Sequence, residues 1–408
     1  MTKTPTDSSD TAPGYGATIA ALSLGQLVAW AALFYTFSSF ALPMRSEFGW
    51  SEPQAMSAFT LGLAIYGASA YAVGAAIDRG RGRLVLSAGP VIGGLGLWLW
   101  SAADGLAMLY GAWSLLGIAM AMLLYEPAFM VLTKRYPERF RRAITTLTLS
   151  GGFASTLSFS ASAWLIASIG WRDALRVIGV ALIAIAPLHA WALRGPMAVA
   201  ERSPHAALPS DDDAPTLHRA VRGPAFWLLA LAFAFNAFAA SALWAHVMSA
   251  LAAKGLGRTE SLAIAVWFGP AQVAGRLAYL AGGRWLAPRA LAMAVLGCLP
   301  LSLAIFAVGR ETAVLLAFAV LFGLANGLVA IVRGGLLPDY FGRAHLGRIS
   351  GAMTGIALFA RAGAPLAAAT LLVAFDGSYR AMLLALAGIG ALAVLAYALA
   401  GRPPAARR

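Results

Sequence analysis

The chain has 408 residues, 60% of them hydrophobic and 12% charged, with a formal net charge of +13. Soluble domains carry about 45–50% apolar and about 25% charged residues, so this composition excludes an ordinary soluble fold and predicts an all-α membrane protein embedded in a lipid bilayer. The positive excess, 27 Arg among 30 basic residues, is spread over short loops, which excludes a nucleic-acid partner, because that needs the charge gathered on one soluble face.

Residues 1–16 form a polar tail with no apolar core, so they are not read as a cleavable signal peptide. At roughly 20 apolar residues per crossing, apolar runs set against breakers predict twelve spans. The first six are about 17–42, 54–77, 84–103, 106–132, 142–169 and 174–194. The last six are about 224–252, 260–283, 289–309, 312–335, 348–372 and 379–400. Between the sets lies 195–223, rich in Pro, Ser and charge and including Asp211-Asp212-Asp213, which reads as a solvated linker. The predicted organisation is therefore an N-tail (1–16), a bundle (17–194), a linker (195–223), a second bundle (224–400) and a C-tail (401–408).

With the N-terminus in the cytoplasm, alternate loops hold 20 basic residues on that side and seven on the other: Arg45, Arg172, Arg176, Lys254, Arg258, Arg310 and Arg380. That asymmetry predicts both termini cytoplasmic, in a bacterial inner membrane. The single cysteine, Cys298, lies inside a span, which leaves no intramolecular disulfide and no cysteine metal cluster. Neither a phosphate-binding Gly-Lys-Ser/Thr loop nor a His-Glu-x-x-His pair occurs, so no ATP-driven pump, enzyme or metal site is expected.

Four charges fall inside spans: Glu126, Arg276, Arg333 and Arg361. Intramembrane charge is expensive and usually faces a cavity or a partner, so the chemistry is sought there. Glu126, beside Pro127, reads either as a proton relay or as a permanent partner of Arg333 on the tenth span. Arg276 offers a planar fork that grips a carboxylate through two parallel hydrogen bonds; the alternative is that it satisfies backbone near the membrane surface. Arg361 lies near mid-span, as a second anion ligand if it faces a cavity. His246 reads as a satisfied polar residue rather than a proton carrier, and Gln26, Tyr35 and Asn236 as polar lining.

The loop after the second span runs Gly74-Ala-Ala-Ile-Asp78-Arg79-Gly80-Arg81-Gly82-Arg83. Its carboxylate can pair with a neighbouring cation or cap a helix start, contacts that form in one conformation and break in another. Here the sequence resembles the major facilitator superfamily, whose signature between helices 2 and 3 is G-x-x-x-D-R-x-G-R-R/K. Gly74, Asp78 and Arg79 match, and the following Gly-Arg is displaced by one residue to Gly82-Arg83. The corresponding second-half loop, Gly282 to Arg289, has no Asp. Weak echoes between the halves, such as Gly117 with Gly323, fit repeated bundles.

That resemblance implies two pseudo-symmetric six-helix bundles, a monomeric secondary transporter working by alternating access, no resident cofactor, and a pathway between helices 1, 4, 7 and 10. Further stretches resemble the monocarboxylate-porter branch: Gly49-Trp50-Ser51, Arg141-Arg142-Ala143 before Gly151-Gly152, and Gly170-Trp171-Arg172. In that branch a helix 8 arginine, here Arg276, is associated with carboxylate binding, and an aspartate one turn earlier with proton coupling. Gln272 stands in the aspartate's place. The expected substrate is a small organic anion, with proton coupling open; the rival is a proton-coupled exporter of drugs or other amphiphiles.

Overall fold

The computed structural model describes residues 13–195, 217–282, 286–341 and 346–401, and none of the described residues lies in a strand. The tail 1–12, most of the expected linker (196–216, with Asp211–Asp213), residues 283–285 and 342–345, and the tail 402–408 lie outside the described residues.

Helix ends fall where glycine, proline and hydroxyl side chains put them. Helix α1 (Tyr15–Phe48) stops at Gly49, whose φ of 66° is left-handed. Helix α2 (Glu52–Ala76) begins at a capping box: Ser51 Oγ accepts from Gln54 N at 3.4 Å while Gln54 Oε1 accepts from Ser51 N at 2.9 Å. The Gly49-Trp50-Ser51 stretch is thus a stop, a stacked ring (Trp50 on Phe48, 4.4 Å) and a start. Gly80 (φ 82°) turns the chain into α3 (Gly82–Ser101), and α4 (Leu106–Arg135) follows. Helices α5 (140–169) and α6 (171–192) meet at Gly170, φ 79°. The second set comprises α7 (Pro224–Ala253), α8 (258–282), α9 (Pro288–Val308), α10 (Thr312–Phe341), α11 (Leu346–Ala374) and α12 (Tyr379–Leu399).

Among the described residues nine helical stretches are long and apolar enough to cross a membrane. Two of them, Glu52–Ser101 and Arg142–Ala192, run 50 and 51 residues and double back at Gly80 and Gly170, so each supplies two crossings. The broken α8, interrupted between Ala265 and Phe268, brings the number to twelve. An even number returns both chain ends to one side, the terminal face; the opposite side is the distal face. Expected and observed spans agree within a few residues, except that α1 and α10 each run six residues farther than expected.

Helices α1 and α4 are interrupted at mid-membrane, where lipid cannot satisfy a freed carbonyl. Helix α1 carries a π turn over Ala31–Tyr35; the Ala31 carbonyl accepts from Thr36 Oγ1 (2.6 Å) and Ser158 Oγ (2.9 Å). Helix α4 breaks at Leu124 (ψ −167°), and Gln26 Nε2 donates to the Leu123 carbonyl at 2.6 Å. Gln26, expected as pathway lining, is therefore a stitch across the break. Pro127 occupies the first turn of the restarted helix, where its missing donor costs little.

Aromatic rings stack in both halves of one continuous core. Phe37 stacks on Phe59 (4.6 Å) against Trp100 and Trp113, and Phe306 stacks on Phe318 (4.2 Å) against Phe268 and Phe322. Across the halves α2 packs on α11 and α1 on α7. Toward the distal face this seam is tied by Met248 N to Ser38 Oγ (3.3 Å) and Leu366 N to Thr60 Oγ1 (3.2 Å). The molecule is closed on that side.

Candidate functional site

A cavity of about 240 Å³ lies between the halves, lined from α1, α4, α5, α7, α8, α10 and α11. The π turn of α1 aims Trp30, Phe34 and Tyr35 at it, and the restart of α4 adds Tyr125. These rings, with Trp244 of α7 (4.7 Å from Tyr35), make one aromatic wall. The second half supplies the other wall, in which three arginines and three amides converge: Arg276, Arg333, Arg361, Asn236, Gln272 and Asn326. Among the described residues no carboxylate lines the cavity.

The three arginines are held differently. Arg276 donates from Nε to the Gly327 carbonyl (3.1 Å) and from Nη1 to the Thr148 carbonyl, so it bridges α8 to α10 and α5. Gly327 makes this possible: a Cβ there would stand 2.4 Å from the Gln272 carbonyl oxygen, so α8 and α10 touch backbone to backbone. Arg361 instead lies over ring faces, its Cζ 4.6 Å from the Phe34 centroid and 5.8 Å from that of Trp30. Among the described residues it has no ion-pair or hydrogen-bond acceptor partner, which leaves its fork open to the cavity. Arg333 is half-buried on the terminal side of the same cavity.

Polar atoms are left unpartnered here. Asn326 Nδ2 donates to Gln272 Oε1 at 3.1 Å, whereas Gln272 Nε2, Asn236 Oδ1 and Trp30 Nε1 are buried without a partner. Buried orphans of this kind call for a binding partner or water.

Glu126 follows Tyr125 in the first turn of the restarted α4, where the helix dipole favours an anion. Its Oε2 accepts from Tyr66 OH at 2.8 Å. The expected ion pair with Arg333 is absent from this conformation; the two interact at longer range only. Tyr66, on α2, is the nearer and neutral partner because the break in α4 turns the carboxylate toward α2.

In the Gly74–Arg83 loop, Asp78 Oδ1 is 2.7 Å from Lys134 Nζ, and the same ammonium also donates to the Ile77 carbonyl at 3.3 Å. The pair joins α2 to α4 inside one half and does not cross the seam. Arg79 and Arg83 are exposed, and Gly74 lies against Met130 of α4.

The sequence therefore named Tyr35, Asn236, Gln272, Arg276, Arg333 and Arg361, and the fold brings all six to one cavity. It missed Asn326, a lone amide in an apolar span and legible as such, and Trp244, which sequence does not distinguish from core. It also missed Glu52 (5% exposed), which reads as an ordinary first-turn acid after the Ser51 cap. A second hollow of about 400 Å³, at the distal seam between α1, α5, α7 and α8, has one charged lining residue, Arg258, and little else polar beyond serines.

The family model of the Major Facilitator Superfamily matches residues 22–310. No curated protein sequence matches the chain. Among solved structures, the fold is similar to a bacterial homologue of the human lysosomal transporter Spinster in an inward-facing, occupied conformation. The TM-score is 0.76 at 16% identity, over 95% of this chain and 97% of that one. The unoccupied inward-facing form of that homologue gives 0.75 at 16% identity, over 94% and 96%. A mutant of the nucleoside transporter NupG gives 0.70 at 14% identity, over 94% and 99%.

Proposed function

The chain belongs to the Major Facilitator Superfamily, and from that premise we propose that it is a secondary transporter that moves a small organic anion, monocarboxylate-like in size and charge. The observation that carries this reading is the charge of the cavity: among the described residues three arginines line it and no carboxylate does. A desolvated guanidinium excess attracts an anion and disfavours a cation.

In this account Arg361 grips the carboxylate with its open fork, and Arg333 adds long-range attraction from the terminal side. Arg276 sets the floor of the site while holding α5, α8 and α10 together. The substrate's apolar body rests on Trp30, Phe34 and Tyr35, and its remaining polar groups meet Asn236 and Gln272. The volume supports a small substrate, since pockets for drug-sized ligands run about 300–1,000 Å³. Alternating access follows from rocking of the halves about this site. Gln272 cannot carry a proton, so any coupling through the cavity falls to Glu126, whose hydrogen bond to Tyr66 is made within the first half. The aromatic wall favours a second reading, export of an amphiphile with Glu126 as proton carrier.

The 20-to-7 division of basic residues supports both termini, and so the terminal face, lying on the cytoplasmic side. The test is uptake into proteoliposomes of a panel of labelled small anions and cationic amphiphiles, with and without a pH gradient. Saturable uptake of monocarboxylates is expected. Uptake of cationic amphiphiles in their place would favour the exporter.

A further inference from the structure

The distal seam holds a second charged cluster, about one helical turn beyond the cavity-lining Trp244 and Arg361. Glu52 starts α2 and His246 lies on α7; both are buried, at 5% and 0% exposed. Glu52 Oε2 pairs with Arg45 of α1, and Glu52 Oε1 accepts from Tyr379 OH of α12 at 3.2 Å. His246 Nδ1 is 3.1 Å from Glu52 Oε1, and its Nε2 is 3.0 Å from the Pro365 carbonyl of α11. Arg45 and Tyr379 are the charged and titratable groups that face the pair from α1 and α12. From α11 the facing group is the Pro365 carbonyl; Arg380 beside Tyr379 is exposed.

A carbonyl oxygen only accepts, so His246 Nε2 carries a hydrogen toward Pro365. A neutral imidazole then has a bare lone pair on Nδ1, facing a carboxylate oxygen at hydrogen-bond distance. Two acceptors do not make such a contact, so one more proton lies between them. It is held on Nδ1 as imidazolium or on Oε1 as a carboxylic acid, and either placement gives the same total.

We propose that Glu52 and His246 form a single-proton binding site that latches the two halves at the distal face. Arg45 and Glu52 both belong to the first half, and His246 and Pro365 to the second. When the distal side opens, Glu52 withdraws with Arg45 and His246 stays with the Pro365 carbonyl. The shared proton loses its second partner, its bond to Nδ1 or Oε1 breaks, and it passes to water on the distal side. Closing that side takes one proton up from there. Acid in that compartment therefore favours the closed form, whatever substrate the cavity carries.

The test uses the full chain in lipid nanodiscs, with Cys298→Ala and spin labels on Asp104→Cys and Glu311→Cys. Both label positions are exposed, in the α3–α4 and α9–α10 turns on opposite halves of the distal face. Distances are measured by double electron–electron resonance between about pH 5 and about pH 8, the range in which histidine ordinarily titrates. The closed-to-open ratio is expected to fall about tenfold per pH unit through the transition, the slope for one linked proton. Glu52→Gln should abolish the slope and remain closed: its amide N–H supplies the hydrogen that Nδ1 needs, while its oxygen still accepts from Arg45. A flat wild-type profile overturns the proposal even if the variant fails to fold. A wild-type slope that survives in Glu52→Gln overturns it equally.

Discussion

Replacing Arg361 by alanine removes the open fork from the cavity and leaves the helix contacts standing. A hydrogen bond to a charged group contributes about 1.5–3 kcal/mol, and each 1.4 kcal/mol is about tenfold in affinity. Loss of one such grip raises the half-saturating anion concentration by about tenfold to about 150-fold. The empty protein loses its ring contacts with Phe34 and Trp30, a cation–π term of about 0.5–2 kcal/mol. It also sheds the desolvation of an unpaired cation, so its melting temperature changes little. Arg361→Lys keeps a point charge without the fork and falls in between. The assay is isothermal titration of the purified protein with a panel of small monocarboxylates, beside a thermal melt of each variant. Unchanged affinity in Arg361→Ala, at wild-type stability, would refute the assignment.

Arg276→Ala is expected to act on stability first. It removes two charge-assisted hydrogen bonds that tie α8 to the Gly327 and Thr148 carbonyls, at about 1.5–3 kcal/mol each, while those carbonyls keep their own helical partners, so a thermal melt should show a clear loss where Arg361→Ala shows none. Gly327→Ala drives a methyl into the Gln272 carbonyl, an overpacking cost of about 1–3 kcal/mol; a lower melting temperature and weaker anion binding should appear together. In Glu126→Gln, anion binding by titration should persist, while acceleration of uptake by a pH gradient should vanish if Glu126 carries the proton; an undiminished gradient response excludes it. For the exposed Asp78–Lys134 pair, Lys134→Ala should change stability by only about 0–1 kcal/mol yet slow uptake, since the pair ties α2 to α4 at the terminal face.

The spans were legible because lipid imposes length and polarity on every crossing, and Gly49, Gly80 and Gly170 mark stops and turns in plain sequence. Intramembrane arginines were legible for the same energetic reason. What each one does was not: Arg276 and Arg361 look alike in sequence, and only the approach of α8 to α10 at Gly327 commits the first to backbone. The break in α4 falls at Leu124, three residues before Pro127, which takes Glu126 away from Arg333 and gives it to Tyr66. Glu52 was hidden because a first-turn glutamate after a serine cap is ordinary on any helix. Its burial comes from α7, α11 and α12, nearly 200 residues or more farther along the chain, and no local pattern reports that.

The most direct test of an anion site lined by three arginines compares a transported monocarboxylate with its own neutral amide in one competition experiment. Shape and apolar surface are nearly matched, so the arginines alone distinguish the two. The account predicts that in proteoliposomes the unlabelled carboxylate suppresses uptake of its labelled form, while the amide, at the same concentration, leaves uptake unchanged. Equal suppression by the amide would contradict it.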